Sequence, residues 1–243
     1  MFKKFKTYLQ EKEGGAIAGK LEISDLSVEE AKKFAEKEFK KQNLDLSEEI
    51  PNFESNFLHA RKLAKLGHTK RKDMPVITSR DVKLFQQRLK DGYIDIHKPF
   101  SKVKVTDNPN DPFPEGLSGT KAKQWLQNGL KKFDGSETDD KIKITEKKIK
   151  VSDLKPIQEQ IYFDKVIKKR AKENTQNSVN FIKSSFFIVS SDNYIIDGHH
   201  RFLSGCLTNP DLKINAVVID LPINTLLPMV LSYSDAIGNS RNN

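Results

Sequence analysis

Apolar residues in the first 140 positions recur every three or four residues, which is the spacing of amphipathic helices. Ser27 and Glu30 form a capping box, so a helix is predicted over residues 31–39. Three further helices are predicted from the same spacing, at 56–66, between Ser79 and Gly92, and at 121–133 around Trp125. The three prolines of residues 107–114 predict an extended linker. Residues 1–140 are therefore predicted to be a mainly helical, partly extended N-terminal region.

The spacing changes after the polar, turn-forming stretch 134–140, which is the predicted domain boundary. Residues 141–151 alternate apolar and polar positions as a strand does, and Pro156 is predicted to close this part. Further strands are predicted at 186–189, 194–196 and 214–219, with a hairpin or tight bend at 190–193 between the first two. Helices are predicted at 157–171, 202–207 and 226–237. The order β-α-β-β-α-β-α predicts a mixed α/β domain over residues 141–243, so the chain as a whole is predicted to be α+β.

The net charge of +9 is spread unevenly over the 243 residues. From residue 173 onward there are four basic and six acidic side chains, so the positive excess lies upstream. It concentrates in 61–72 and 141–172. These stretches predict nucleic acid as a partner, because contacts to successive phosphates add up whatever the base sequence. The alternative is that they are solvated, lysine-rich helix faces.

Composition excludes some classes of protein. Only 36% of the residues are hydrophobic, and no apolar run approaches the roughly 20 residues that cross a bilayer, so no membrane partner is expected. The single cysteine, Cys206, excludes an internal disulfide framework and suits a reducing compartment, so the cytoplasm is expected. Cys206 itself is predicted to be a small core residue.

The candidate functional site is the turn at 197–201, where a predicted buried strand passes into a helix with the sequence Asp-Gly-His-His-Arg. Gly198 allows a positive φ or a close approach of a ligand to the backbone. The start of a helix offers unpaired N–H groups and the positive end of its dipole, which together bind anions. Arg201 adds a bidentate donor. The turn is therefore predicted to bind a phosphate-bearing ligand.

The other side chains of this turn have several candidate roles. His199 and His200 are expected to donate to phosphate oxygens or to move protons. Metal binding by the pair is an alternative, although no further Cys or His stands at zinc-ligand spacing from it. Asp197 is a candidate to orient a histidine, to coordinate Mg²⁺, or simply to cap the helix.

The Asp-Gly-His-His-Arg motif, with an apolar strand before it and a short helix after it, resembles the ParB/sulfiredoxin superfamily. The version found in ADP-dependent free serine kinases is the most similar. The stretch Val-Ser-Asp-Leu-Lys-Pro-Ile-Gln at 151–158 is also similar to the opening segment of the superfamily. The resemblance covers about 145–237 and implies a ParB/sulfiredoxin-like domain there, but nothing for residues 1–140.

The resemblance implies roles for individual residues. The phosphates of ATP or ADP would be held by Gly198, His199, His200 and Arg201. The residues with catalytic roles would be Glu159, Asp197, His199 and His200. Among these, Asp197 would lie near the transferred group or Mg²⁺, and Glu159 would be the general base; the alternative for Glu159 is an ordinary glutamate in the first turn of a helix. The catalytic cysteine of sulfiredoxins falls at His199, so reduction of sulfinic acids is not expected.

Residues 1–11 are similar to the capsid-targeting leaders of internal head proteins in large tailed phages. They are amphipathic, carry lysine and end in Leu-Gln-Glu at 9–11. The alternative is a basic amphipathic helix. A leader would imply a phage protein that is made in the host cytoplasm and packaged in the virion.

Three functions are open on the sequence. The first is a phosphotransferase that moves phosphate from a nucleotide to a small hydroxyl compound, a protein or a nucleic acid. The alternatives are a ParB-like DNA-binding or nuclease module, and a virion-associated protein with a degenerate site.

Overall fold

The structure is a computed structural model, and it describes residues 21–78, 80–96, 99, 124–126 and 140–239. In that part of the chain there are seven α-helices and one mixed sheet of five strands, so the predicted α+β class is confirmed. The helices are α1 Val28–Lys40, α2 Leu46–Glu49, α3 Phe53–Ala64, α4 Val82–Asp91, α5 Phe163–Ser184, α6 His199–Thr208 and α7 Ile223–Ala236. The strands are β1 Ile144–Lys150, β2 Lys155–Pro156, β3 Phe186–Ser190, β4 Tyr194–Asp197 and β5 Lys213–Ile219.

Local sequence signals account for several of these boundaries. The predicted capping box at α1 is confirmed: the Ser27 hydroxyl accepts the Glu30 N–H at 3.2 Å, and the Glu30 carboxylate accepts the Ser27 N–H at 2.9 Å. α4 ends at Gly92, whose φ of 75° reverses the chain as expected of a C-terminal glycine. Its N-cap is Asp81; the predicted cap, residue 79, lies outside the described residues.

The strand order in the sheet is β1-β5-β3-β4-β2. β1 is antiparallel to β5, β5 is parallel to β3, β3 is antiparallel to β4, and β4 is parallel to β2. The predicted hairpin between β3 and β4 is confirmed, and Asn193 takes the left-handed conformation in its turn with a φ of 68°.

Two apolar cores lie on opposite faces of the sheet, because successive side chains of a strand alternate between its faces. On one face, Phe57 of α3 meets Phe163 of α5 edge-on at 5.5 Å between ring centroids. On the other, Phe85 of α4 packs against Tyr233 of α7 at 4.6 Å. Helices from upstream of residue 140 therefore contribute to both cores, while the division into two domains at that residue stays a prediction.

The prediction of a helix over 157–171 is wrong at its start and at its end. Residues 157–162 are not helical, because most of their backbone hydrogen bonds are made with distant parts of the chain. The Ile157 carbonyl accepts the N–H groups of His68 and Thr69, both at 2.9 Å, and the Ile161 carbonyl accepts that of Ile23 at 3.0 Å. α5 begins only at Phe163 and continues to Ser184.

Two other features differ from the sequence prediction. Pro156 does not simply close the first strand; with Lys155 it forms β2 at the edge of the sheet, where a residue without an N–H group is tolerated. α5 also carries a kink at Asn174, whose φ of 56° and ψ of 165° are not helical. The predicted leader at 1–11, the linker at 107–114, most of the helix at 121–133 and residues 134–139 lie outside the described residues.

None of the helices in the described ranges is long and apolar enough to cross a membrane.

Candidate functional site

The turn at 197–201 joins β4 directly to α6, with Gly198 as the N-cap residue of the helix. Gly198 has a φ of 117°, a conformation that residues with a side chain rarely adopt. A Cβ at this position would also lie 2.6 Å from Cδ1 of Phe187. The glycine is therefore required twice, by its backbone conformation and by the ring packed against it.

His199 is buried, with 5% of its surface exposed, and its Nε2 accepts two backbone hydrogen bonds. The donors are the N–H groups of Ile157 at 3.3 Å and Gln158 at 3.2 Å. Burial lowers the pKa of His199 to about 3, and the positive charge of Arg201 lowers it further in the same direction. The imidazole is thus neutral near pH 7, and the tautomer inferred from its bonds carries the proton on Nδ1.

His200 holds the other end of the same segment. Its Nε2 accepts the N–H of Tyr162 at 3.3 Å, and the two rings lie 6.0 Å apart at an angle of 27°. Burial lowers the pKa of His200 well below its ordinary value, and the charges of Lys165 and Arg71 act in the same direction. The two histidines therefore attach residues 157–162 to the first turn of α6 as neutral acceptors.

Asp197 and Arg201 pair with each other. The Arg201 Nη2 lies 2.5 Å from Oδ2 of Asp197, its Nη1 donates to the Phe186 carbonyl at 3.0 Å, and its guanidinium lies 5.0 Å from the centre of the Phe187 ring. The N-cap residue of α6 is Gly198, which has no side chain, so the alternative that Asp197 caps the helix is wrong. Among the described residues, no side chain caps the N–H groups of its first turn.

Glu159 lies between the two ends that the histidines hold. Its N–H donates to the Thr69 carbonyl at 2.9 Å, and the residue is half-buried. It is not in a helix, so the alternative of a first-turn glutamate is wrong. A second carboxylate is nearby: burial raises the pKa of Glu22, and the negative charges of Asp25 and Glu159 raise it further.

Residues from upstream of residue 140 reach this site, and which ones could not be predicted from the sequence. The backbone N–H of Arg71 donates to the Gln160 side chain at 2.6 Å, and its guanidinium lies 5.5 Å from the centre of the Tyr162 ring. Gly67 lets these two segments of the chain approach each other, since a Cβ there would overlap the Gln158 carbonyl. The only sequence signal was the basic character of 61–72, which does not distinguish Arg71 from its neighbours.

The described residues bring together no group of three or more His, Cys, Asp or Glu side chains that could hold a metal ion. Asp197, the predicted Mg²⁺ ligand, directs its carboxylate to Arg201 instead. Cys206 is fully buried in α6, and burial raises the pKa of its thiol, as expected of an unreactive core residue.

A second buried polar group lies at the kink of α5, and we call it the kink cluster: Glu49, Arg170, Glu173, Thr175 and Ser178. Arg170 is 1% exposed, and burial lowers its pKa to about 10 against the opposing effect of Glu49. It donates to the Thr175 hydroxyl at 2.9 Å and to the Glu49 carbonyl at 3.4 Å. The Glu49 carboxylate accepts the Thr175 N–H at 2.7 Å, so it caps the second half of the kinked helix.

No protein-family model, no curated protein and no solved structure matches the chain.

Proposed function

We propose that the first turn of α6 binds the phosphate groups of a nucleotide, and that the protein transfers a phosphoryl group from ATP or ADP to a hydroxyl compound. The observation that carries this proposal is the start of α6. It follows a glycine in the left-handed conformation, and no side chain in the described part of the chain caps its N–H groups. Such a helix start binds anions through its N–H groups and its dipole.

Positive side chains around this turn support the same assignment. Arg71 and Lys165 are close enough to the His200 ring to lower its pKa, and Arg201 lowers that of His199. Positive charge beside a helix N-terminus adds to the attraction for phosphate. The arginines, the lysine and the backbone N–H groups are therefore the proposed phosphate-binding groups.

His199 and His200 are positioning residues in this proposal. The Nε2 atom of each accepts backbone N–H groups of residues 157–162, so neither is directed at a phosphate through that atom. By holding both ends of this segment against α6, they hold Glu159 beside the helix start. The rigid placement of a reacting group lowers the entropic part of a reaction barrier.

Glu159 is the proposed general base. It would accept the proton of the substrate hydroxyl while the hydroxyl oxygen attacks the terminal phosphorus of the nucleotide. The bond from that phosphorus to its bridging oxygen breaks, and the nucleotide leaves with one phosphate fewer. The pairing of Asp197 with Arg201 does not fit a divalent cation at Asp197, so in this proposal backbone N–H groups and cationic side chains meet the charge of the phosphates.

Calorimetric titration of the protein with ATP and with ADP tests the binding. Arg71→Ala should lower the affinity about 10-fold to 100-fold, because a hydrogen bond to a charged group contributes about 1.5–3 kcal/mol. The matched control is Arg80→Ala, which removes the same charge from an exposed position before α4 and should leave the affinity unchanged. Absence of binding to both nucleotides, or equal losses in the two variants, contradicts the proposal.

A transfer assay with a panel of small hydroxyl compounds, free serine among them, tests the chemistry. Glu159→Gln should keep nucleotide affinity and lower the rate of transfer about 10²-fold to 10⁴-fold, the usual contribution of a general base. The control is Glu48→Gln on the exposed side of α2, which should leave the rate unchanged. If Glu159→Gln turned over as fast as the wild type, Glu159 would not be the base.

A further inference from the structure

β1 lies at one edge of the sheet and pairs only with β5 among the described strands. Residues 145–148 of β1 are all exposed, although successive residues of a strand point to opposite faces. β5 behind them is buried: Ala216 is 0% exposed and Val217 1%. This part of β1 therefore lies outside both cores, and both faces of the strand are open to solvent.

Lysine is the most frequent residue along this edge of the sheet. Residues 141–150 contain five lysines and one glutamate, and all five lysines are exposed. Lys150 forms an ion pair with Asp211 at 2.8 Å. It also lies directly opposite Lys213 in the register of the β1–β5 pair. We call the exposed side chains at this edge the lysine rib: Lys143, Lys147, Lys148, Lys150 and Lys213.

Edge strands carry lysine for another reason as well, since a charge on an open edge prevents pairing with other chains. The lysine rib places Lys147 on one face of the strand and Lys148 on the other, so positive charge is presented on both sides of the edge. Protection of the edge does not by itself call for lysine on both faces of the strand, whereas contact with a polyanion on both sides of the edge does.

We infer that the lysine rib binds the phosphate backbone of a nucleic acid duplex. The major groove of DNA is wide enough for a two-stranded β-ribbon, and its walls are lined by phosphates on both sides. A strand with lysines on both faces is suited to contact both walls. Binding of this kind is independent of base sequence and weakens steeply as salt rises. The surface is separate from the start of α6, so its role does not depend on the phosphotransfer proposal.

Fluorescence anisotropy of a labelled 20-base-pair duplex, titrated with the full-length protein at several KCl concentrations, tests this inference. The slope of log affinity against log salt is about −0.9 for each phosphate contacted. The double variant Lys147→Gln/Lys148→Gln should therefore reduce the magnitude of the slope by about 1.8. The matched control is Lys83→Gln/Lys90→Gln, which removes the same charge from exposed positions of α4 and should leave the slope unchanged.

Three results would overturn the inference. The first is no binding of the duplex by the wild type. The second is an equal change of slope in both double variants, which would mean that net charge alone attracts the duplex. The third is equal competition by a glutamate polymer of the same charge, which would point to an acidic protein as the partner. Size-exclusion chromatography of the Lys147→Gln/Lys148→Gln variant separates loss of binding from aggregation of an edge that has lost its protection.

Discussion

The first turn of α6 and the kink of α5 both bury polar side chains, but they satisfy them by different means. At α6 these groups are two neutral histidines, His199 buried and His200 half-buried, and the Nε2 atom of each accepts backbone N–H groups. The kink cluster buries the charged guanidinium of Arg170 instead. In the described part of the chain, Arg170 Nε, Glu173 Oε2 and Ser178 Oγ have no hydrogen-bond partner.

The two arrangements differ in the free energy that burial costs. A neutral acceptor loses little free energy on burial when two backbone N–H groups donate to it. It also satisfies N–H groups that would otherwise be unpaired. A buried charge has to recover a desolvation cost of several kcal/mol from its partners, and removal of one partner leaves the others exposed to the same cost. We therefore expect the kink cluster to be the more sensitive to substitution and the α6 turn the more sensitive to pH.

The largest effect is expected at the kink. Arg170→Ala removes a guanidinium that joins α5 to α2 and α6, and it should lower the free energy of unfolding by about 3–5 kcal/mol. Urea denaturation followed by circular dichroism measures the loss. Lys172→Ala, an exposed position two residues further along the same helix, should change it by less than about 0.5 kcal/mol. A small loss in Arg170→Ala would remove the contrast between the two regions.

The next effect is expected at the start of α6. Gly198→Ala imposes a side chain on a left-handed residue, which costs about 1–2 kcal/mol, and drives a methyl group into Phe187, which costs about 1–3 kcal/mol more. Gly238→Ala is the matched control, because Gly238 also has a positive φ, 80°, but has open space around it. The difference in unfolding free energy between the two variants isolates the contact with Phe187. Equal losses would show that the ring moves aside freely.

A smaller loss is expected when the neutral acceptor is removed. His199→Ala leaves the N–H groups of Ile157 and Gln158 without their partner, at a cost of about 1–3 kcal/mol in unfolding free energy. His199→Gln should recover part of that loss, because the glutamine oxygen can reach the position of Nε2 and accept the same N–H groups. Thermal unfolding of both variants checks this order. A glutamine variant no more stable than the alanine variant would show that packing of the ring, not its acceptor, is what matters.

The smallest effect is expected from a change of pH. Because the pKa of His199 is about 3 in the folded protein and about 6.5 when unfolded, only the unfolded state takes up a proton between these values. Stability should thus fall as the pH drops below 6.5, by up to about 1.4 kcal/mol per pH unit for this histidine. Urea denaturation at pH 7.5, 6.5 and 5.5 measures the slope. The slope of unfolding free energy against pH should be smaller in His199→Gln. It should be unchanged in His68→Gln, which alters an exposed histidine.

Features set by nearby residues were predictable from the sequence. The capping box of α1 and the turn between β3 and β4 each depend on a few adjacent side chains, and both were predicted in the right place. The motif at 197–201 was also correctly assigned to a passage from strand to helix, because an apolar run followed by Asp-Gly indicates such a turn. The sequence did not show which way its hydrogen bonds run: the histidines accept from the chain, whereas they were expected to donate to a ligand.

The errors arose where distant segments compete for the backbone. Residues 157–162 have helical spacing of apolar side chains, but their carbonyl groups pair with residues 23, 68 and 69. The continuation of α5 past residue 171 depends on Glu49, which caps the second half of the kinked helix from 126 residues away in sequence. Periodicity within a window of fifteen residues contains no information about such partners, so Arg71 could not be assigned to the site either.

The pairing of residues 21–23 with 161–164 has a consequence for synthesis of the chain. Leu21 and Asp164 are 143 positions apart, and Asn56 donates to the Leu207 carbonyl across 151 positions. On a ribosome, α1 and α3 therefore emerge long before the residues that cover their apolar faces. Contacts between residues so far apart in sequence slow folding. Apolar surface that stays exposed until its partner segments have been synthesised favours aggregation. We expect the nascent helices to depend on a holding chaperone until α5 and α6 have left the exit tunnel.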